Sequence, residues 1–123
     1  MSFKERDGNL IKLSKQGEFD AITHGCNCGK DWGAGIALSM KKSYPLAFQN
    51  DLNTPSTMGD ITICKDYDCC DIINSYTQFY KGKNKVGKDS DFNRYKAIES
   101  CMEKINENYQ GKTIGIPLIG CGP

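Results

Sequence analysis

Thr23-His24-Gly25-Cys26-Asn27-Cys28-Gly29-Lys30-Asp31-Trp32-Gly33-Ala34-Gly35-Ile36-Ala37 holds the chain's only histidine and only tryptophan, set among closely spaced glycines. The apolar Ala21-Ile22 feeds into it, and Ile36-Ala37-Leu38-Ser39-Met40-Lys41-Lys42 leaves it with helical composition and neither Gly nor Pro. The stretch therefore reads as strand, loop and helix start. Gly33 and Gly35 let backbone N–H groups approach an anion, which the positive end of the following helix dipole also faces. Two readings follow: a phosphate cradle, or a tight turn with close packing behind it. A Walker loop is excluded because no Gly-Lys-Ser/Thr follows. A full dinucleotide fingerprint is excluded because Gly35-Ile36-Ala37-Leu38 lacks the third glycine.

The rest of the chain bounds what such a site serves. Its 123 residues suit one domain with a core of its own. An apolar content of 38%, with 16 basic against 15 acidic residues, excludes disorder and gives no general affinity for nucleic acid or an anionic membrane. The charged start, Met1-Ser2-Phe3-Lys4-Glu5-Arg6-Asp7, and the lack of any long apolar window predict a cytoplasmic protein with no membrane contact. Seven cysteines at Cys-x-Cys and Cys-Cys spacings suit free thiols better than disulfides. A metal site from His24, Cys26, Cys28, Cys69 and Cys70 is disfavoured by the same spacings, so neither metal nor cofactor is expected.

Read in order, residues 3–6 suit a short first strand, Asp7-Gly8-Asn9-Leu10 a turn, and Ile11 and Leu13 a small apolar anchor. Phe19 to Thr23 reads as a central strand. A helix from Gly35 should end near Ser43, since Pro45 disfavours helix in the residue before it and starts a second helical piece carrying Leu46, Ala47 and Phe48. Residues 50–58 read as a loop, 59–64 as a half-buried strand and 70–76 as its return. Residues 78–90, rich in Lys and Gly, read as a mobile basic surface loop in preference to a nucleic-acid contact. Phe92, Tyr95, Ile98, Met102, Ile105 and Tyr109 recur at helical spacing between a cap at Ser90 or Asp91 and Gly111. Thr113 to Ile119 is a strand ending in a second glycine turn, Gly120-Cys121-Gly122. Alternating strands and helices predict an α/β fold with a mixed or parallel sheet, whose ligands bind beyond the carboxyl ends of the strands.

Four pieces in register resemble the macrodomain family: Gly8-Asn9-Leu10; Asp20 to Asn27; Gly33-Ala34-Gly35-Ile36-Ala37; and Ile116-Pro117-Leu118-Ile119-Gly120-Cys121-Gly122. The His-x-Cys-Asn-Cys and Trp-Gly-x-Gly-Ile-Ala segments are most similar to the branch of ADP-ribose 1''-phosphate phosphatases. The resemblance implies a three-layer α/β/α macrodomain with a central mixed sheet, lacking the last helix and strand because the chain stops at Pro123. An unpaired sheet edge would then favour self-association.

Carried over by position, the resemblance sets Gly8, Asn9 and Leu10 beside the adenine, with Asn27 on the distal ribose. Gly33, Ala34, Gly35 and Ile36 would hold the diphosphate, and Gly120, Cys121 and Gly122, after Pro117, Leu118 and Ile119, would close over it. Thr23, Gly25 and Cys26 belong to the same strand end. His24 is the candidate catalytic residue, the alternative being a histidine that only hydrogen-bonds the loop. Trp32 either stacks on a ribose or walls off the phosphate site, or else folds onto the domain surface, and Cys26 and Cys28 are for packing before nucleophilic chemistry. Asn74, Tyr76 and Gln78 alternate out of a strand end toward the same place. Three functions compete: hydrolysis of ADP-ribose 1''-phosphate to ADP-ribose and phosphate; removal of ADP-ribose from modified protein or nucleic acid; and binding of ADP-ribose without turnover. The resemblance implies that a lysine or a second-loop aspartate at the distal ribose would favour the second, and the returning strand offers Ser75 and Tyr76 with no lysine before Lys81.

Overall fold

A computed structural model describes residues 9–83 and 86–117. Its centre is β1 (Ala21–Asn27), which pairs in parallel with β3 (Asp71–Gln78) on one side and with β4 (Ile114–Gly115) on the other. β2 (Ile61–Cys64) runs antiparallel along the outer side of β3, so the sheet is mixed, in the order β2-β3-β1-β4. β1 extends past Thr23, where the sequence pattern ends the strand, because His24 to Asn27 continue the ladder with Asn74 to Gln78, with a register shift between Cys26 and Asn27. The residues expected on a turn thus lie on the last half of a central strand.

Side chains on a strand alternate between faces. Ile22, Cys26, Cys64, Ile72 and Tyr76 pack on one face against Met40, Tyr44 and Ala47 of α2 (Gly35–Ser43) and α3 (Pro45–Leu52). Ala21 and Ile73 pack on the other against Ile105 of α4 (Asp91–Asn108). Helices on both faces give the three-layer α/β/α architecture.

Several local elements differ from the sequence expectation. Leu10–Lys15 forms a short helix, α1, because the Asn9 side chain caps it by accepting the Lys12 N–H at 3.0 Å. α3 continues through the expected start of a loop at Asn50, since Asp51 faces the interior and is fully buried. α4 is capped as expected, Ser90 Oγ accepting the Asn93 N–H. Its buried stripe is Ala97, Cys101 and Ile105, while Phe92 and Tyr95 are exposed. Among the described residues, the basic 78–90 segment is ordered by a buried carboxylate: Asp89 accepts the N–H groups of Phe79 and Tyr80 and pairs with Arg94 at 3.2 Å. The expected first strand, Gly8, and Leu118 to Gly122 lie outside the described residues. No helix among the described residues is long and apolar enough to cross a membrane.

Candidate functional site

The loop between β1 and α2 takes its shape from side chains that hold backbone. Asn27 grips Asp31 at both ends: its Nδ2 donates to the Asp31 carbonyl at 3.0 Å, and its Oδ1 accepts the Asp31 N–H at 3.2 Å. Lys30 sits at φ +60, in the left-handed region that non-glycine residues rarely adopt. Its ammonium explains why it stays there: it donates to the carbonyls of Asp51 and Thr54 and to Ser56 Oγ, and lies 3.5 Å from the Asp51 carboxylate. Trp32 donates its indole N–H to Asp51 Oδ2 at 2.8 Å, and the Tyr76 hydroxyl donates to Oδ1. Burial and this bond to Asp51 push the Tyr76 phenol up, so it remains a donor.

Two glycines finish the turn. The Gly33 N–H donates to Asp31 Oδ1 at 2.9 Å, and a Cβ at Gly33 would come within 3.0 Å of that oxygen. Gly35, at φ +59, opens α2 in a conformation that costs other residues strain. Ala34, the N-cap residue, provides no side-chain cap. The first-turn N–H groups of α2, with the positive end of its dipole, are therefore presented at the loop's edge.

That edge bounds a cleft of about 340 Å³ at the carboxyl ends of β1 and β3. Gly25, Cys26 and Asn27 line it from β1, Thr77 and Gln78 from β3, and Ala34, Gly35, Ile36 and Ala37 from the start of α2. Trp32 and Asp31 add to that wall, while Lys81, Gly82 and Lys83 face it with Arg94, Tyr95 and Ile98 of α4; Pro117 also lines it. Lys81 reaches Asp31 at 2.9 Å. Arg94 is bound to Asp89 and to the carbonyls of Tyr80 and Gly82, so it fixes its loop. A more open groove of about 460 Å³ on α4, bordered by Met58, Phe79 and Lys96, contains none of the residues singled out in the sequence. The smaller cleft is the candidate site because backbone donors and cations converge on it.

Of the residues expected there, Gly25, Cys26, Asn27, Trp32, Ala34, Gly35, Ile36 and Pro117 line the cleft. Thr23 does not: its hydroxyl is buried among the Ile73 carbonyl and Ser75 on the α4 side. Gly33 is not among the lining residues, and its N–H is already given to Asp31. Asn9 spends its side-chain acceptor on α1, and Leu10 packs toward the core. Trp32 is not folded onto the domain surface: at 3% exposure it is wedged edge-on between His24 and Phe48 in the wall of the cleft. Asn74 and Tyr76 point into the α2 and α3 face, whereas Gln78 reaches the cleft. Cys26 belongs to the core, with Cys28 packed against it, and burial pushes the Cys26 thiol well up.

His24 is not among the residues that line the cleft. It lies beneath the cleft, fully buried, with Asn74 Oδ1 at 2.8 Å from Nε2. Asn74 uses its Nδ2 to donate to the Ala47 carbonyl and Thr62 Oγ1, which leaves Oδ1 as acceptor and assigns the imidazole proton to Nε2. Burial lowers its pKa from 6.5 to about 4 against the opposing pull of Asn74 and Asp51. His24 is a neutral interior donor whose partner is the Asn74 side chain on β3 and not the loop backbone.

The sequence reading missed Asp51, Lys30 and Lys81. A signal existed for Asp51, which stands four residues after the buried Ala47 on the same helix face. Among the described residues no cluster of three His, Cys, Asp or Glu side chains could hold a metal ion, and the described cysteines are free.

No family model matches the chain. Two curated ADP-ribose 1''-phosphate phosphatases are similar over short stretches. That of Aspergillus fumigatus is 44% identical over 45 residues, covering 31% of this chain and 22% of that protein. That of Aspergillus oryzae is 40% identical over 47 residues, covering 38% and 22%. The chain thus matches about a fifth of their length. Among solved structures, the macrodomain of Mycobacterium tuberculosis DarG superposes with a TM-score of 0.73 at 20% identity, over 95% of this chain and 76% of that one. Thermosipho africanus DarTG, solved in complex with ADP-ribose, superposes with a TM-score of 0.71 at 19% identity, over 94% and 32%. The fold is the macrodomain fold, as the sequence resemblance implied.

Two outcomes follow for this site. Asp51→Ala strands the Lys30 ammonium, the Trp32 indole and the Tyr76 hydroxyl, and is expected to cost about 3 to 5 kcal/mol in urea unfolding. His24 has a folded pKa below its unfolded value, so the unfolded state binds more protons between pH 6.5 and about 4, and stability falls as pH drops through that window. The full loss is about 3 kcal/mol. Because no other histidine exists, the decline between pH 6.5 and 5 should vanish in His24→Gln when unfolding is followed at each pH.

Proposed function

We propose that this macrodomain-fold chain binds ADP-ribose in the cleft beyond β1 and β3 and hydrolyses ADP-ribose 1''-phosphate to ADP-ribose and phosphate. The observation that carries the reading is the uncapped start of α2: Gly35, Ile36 and Ala37 line the cleft, and the helix offers its first N–H groups and positive dipole end to an anion. Lys81 and Lys83 face the same space from the loop after β3. Similarity to the Aspergillus phosphatases and to a macrodomain protein solved with ADP-ribose supports the choice of ligand.

In this reading Asn27 holds the Asp31 loop beside the distal ribose, and the start of α2 takes phosphoryl oxygens. Water attacks the terminal phosphorus, the bond from phosphorus to the ribose 1'' oxygen breaks, and that oxygen leaves with a proton from solvent. Charge on the phosphoryl oxygens is held by the α2 N–H groups and Lys81. His24 acts as a positioning residue, through its edge contact with Trp32, 4.6 Å between ring centres.

One observation favours a second reading, removal of ADP-ribose from a modified macromolecule. Lys81, which the sequence placed beyond the returning strand, lies on the cleft wall.

Incubation with ADP-ribose 1''-phosphate and, separately, with an ADP-ribosylated acidic peptide distinguishes these readings. Phosphate release from the first and no ADP-ribose from the second is the expected result. The reverse pattern supports the second reading, and binding without turnover of either identifies a binding module. Ile36→Glu sets a carboxylate at the helix start, where it favours the dipole but repels phosphate. It should weaken ADP-ribose binding at least about tenfold without lowering the melting temperature.

A further inference from the structure

We propose that Asp31 is a built-in competitor for the cleft's anion site, its carboxylate occupying donors that a bound phosphoryl group takes over. The inference rests on reading the cleft as a phosphate-bearing ligand site. Asp31 belongs to the loop after β1 and Lys81 to the loop after β3, and their side chains meet on the cleft wall with Lys81 Nζ 2.9 Å from Oδ2. The other oxygen, Oδ1, accepts the Gly33 N–H at 2.9 Å. One carboxylate thus engages a cation from the facing loop and a backbone donor of its own loop at the cleft's edge, the pairing of cation and N–H that also suits a phosphoryl group.

The surroundings explain why Asp31 stands in this place. Its backbone is gripped at N–H and carbonyl by Asn27, so the side chain is fixed at the edge of the cleft. Gly33 cannot carry a side chain without meeting Oδ1. The hydrogen bond and charge of Lys81, then the Gly33 N–H, hold the Asp31 carboxyl below its usual range, so it is charged at neutral pH. The pair is nonetheless wet, with 75% of the Lys81 side chain and 39% of the Asp31 side chain exposed. A wet pair is weak and screened by salt. A ligand bearing two phosphates can therefore displace the carboxylate, while a weakly charged ligand gains little by doing so. The device raises selectivity for densely charged ligands and lowers affinity for all of them.

The test is calorimetric titration of the wild type, Asp31→Asn, Lys81→Met and the double variant with ADP-ribose and with inorganic pyrophosphate. Asp31→Asn keeps an acceptor for Gly33 but removes the charge, and should bind about two- to fivefold more tightly at low salt, with the gain fading at high salt. In the Lys81→Met background that gain should shrink, because the contested cation is gone. No gain in Asp31→Asn, or an equal gain with and without Lys81, overturns the proposal. If pyrophosphate shows the expected pattern and ADP-ribose binds to none of the four proteins, the ligand reading fails and the competitor stands. If neither ligand binds any of them, both fail.

Discussion

A carboxylate buried in the middle of a small protein needs several partners, and Asp51 has them from three parts of the chain. Lys30 and Trp32 come from the loop after β1, Tyr76 from β3 and Ser56 from the segment after α3. Removing any one leaves a desolvated polar group, so the set holds together or fails together. The consequence for function is indirect but decisive. Asp51 helps hold the Lys30 turn and the Trp32 ring in place at the cleft, and the start of α2 follows from that loop.

The same network runs across the sheet. His24, Asn74 and Thr62 occupy adjacent register positions on β1, β3 and β2, all on the α2 and α3 face. Hydrogen bonds join His24 to Asn74, Asn74 to Thr62, Thr62 to Tyr76 and Tyr76 to Asp51, and the indole of Trp32 closes the circuit back to the His24 ring. A polar belt of this kind inside a sheet specifies strand register, since a slip of one residue would turn each member to the opposite face. It also accounts for a lone histidine that is neutral at physiological pH: its proton serves the belt.

The fold was legible where pattern and punctuation agree. The Asp91 helix with its Ser90 cap, the break at Pro45 and the strand alternation of residues 61–64 appear where the periodicity puts them. The cleft was legible through the glycines at 33 and 35, whose spacing before a helix is a local signal. What could not be read locally was which polar side chains turn inward. His24 and Thr23 sit next to each other in the middle of β1, yet both are buried on opposite faces by partners fifty residues away. Asp51 and Lys30 look like solvent-facing residues until the sheet brings them together. Phe92 and Tyr95 match helical spacing yet face away from the core.

In the proposed function the start of α2 and the loop carrying Lys81 together receive an anionic nucleotide sugar. An amide chemical-shift map of the 123-residue chain titrated with ADP-ribose tests this most directly. The largest shifts are expected at Gly35, Ile36 and Ala37, with Lys81 and Asn27 following, and little change at Met58, Gly59 and Lys96. Shifts concentrated in that second groove, or no shifts at saturating ligand, would contradict it.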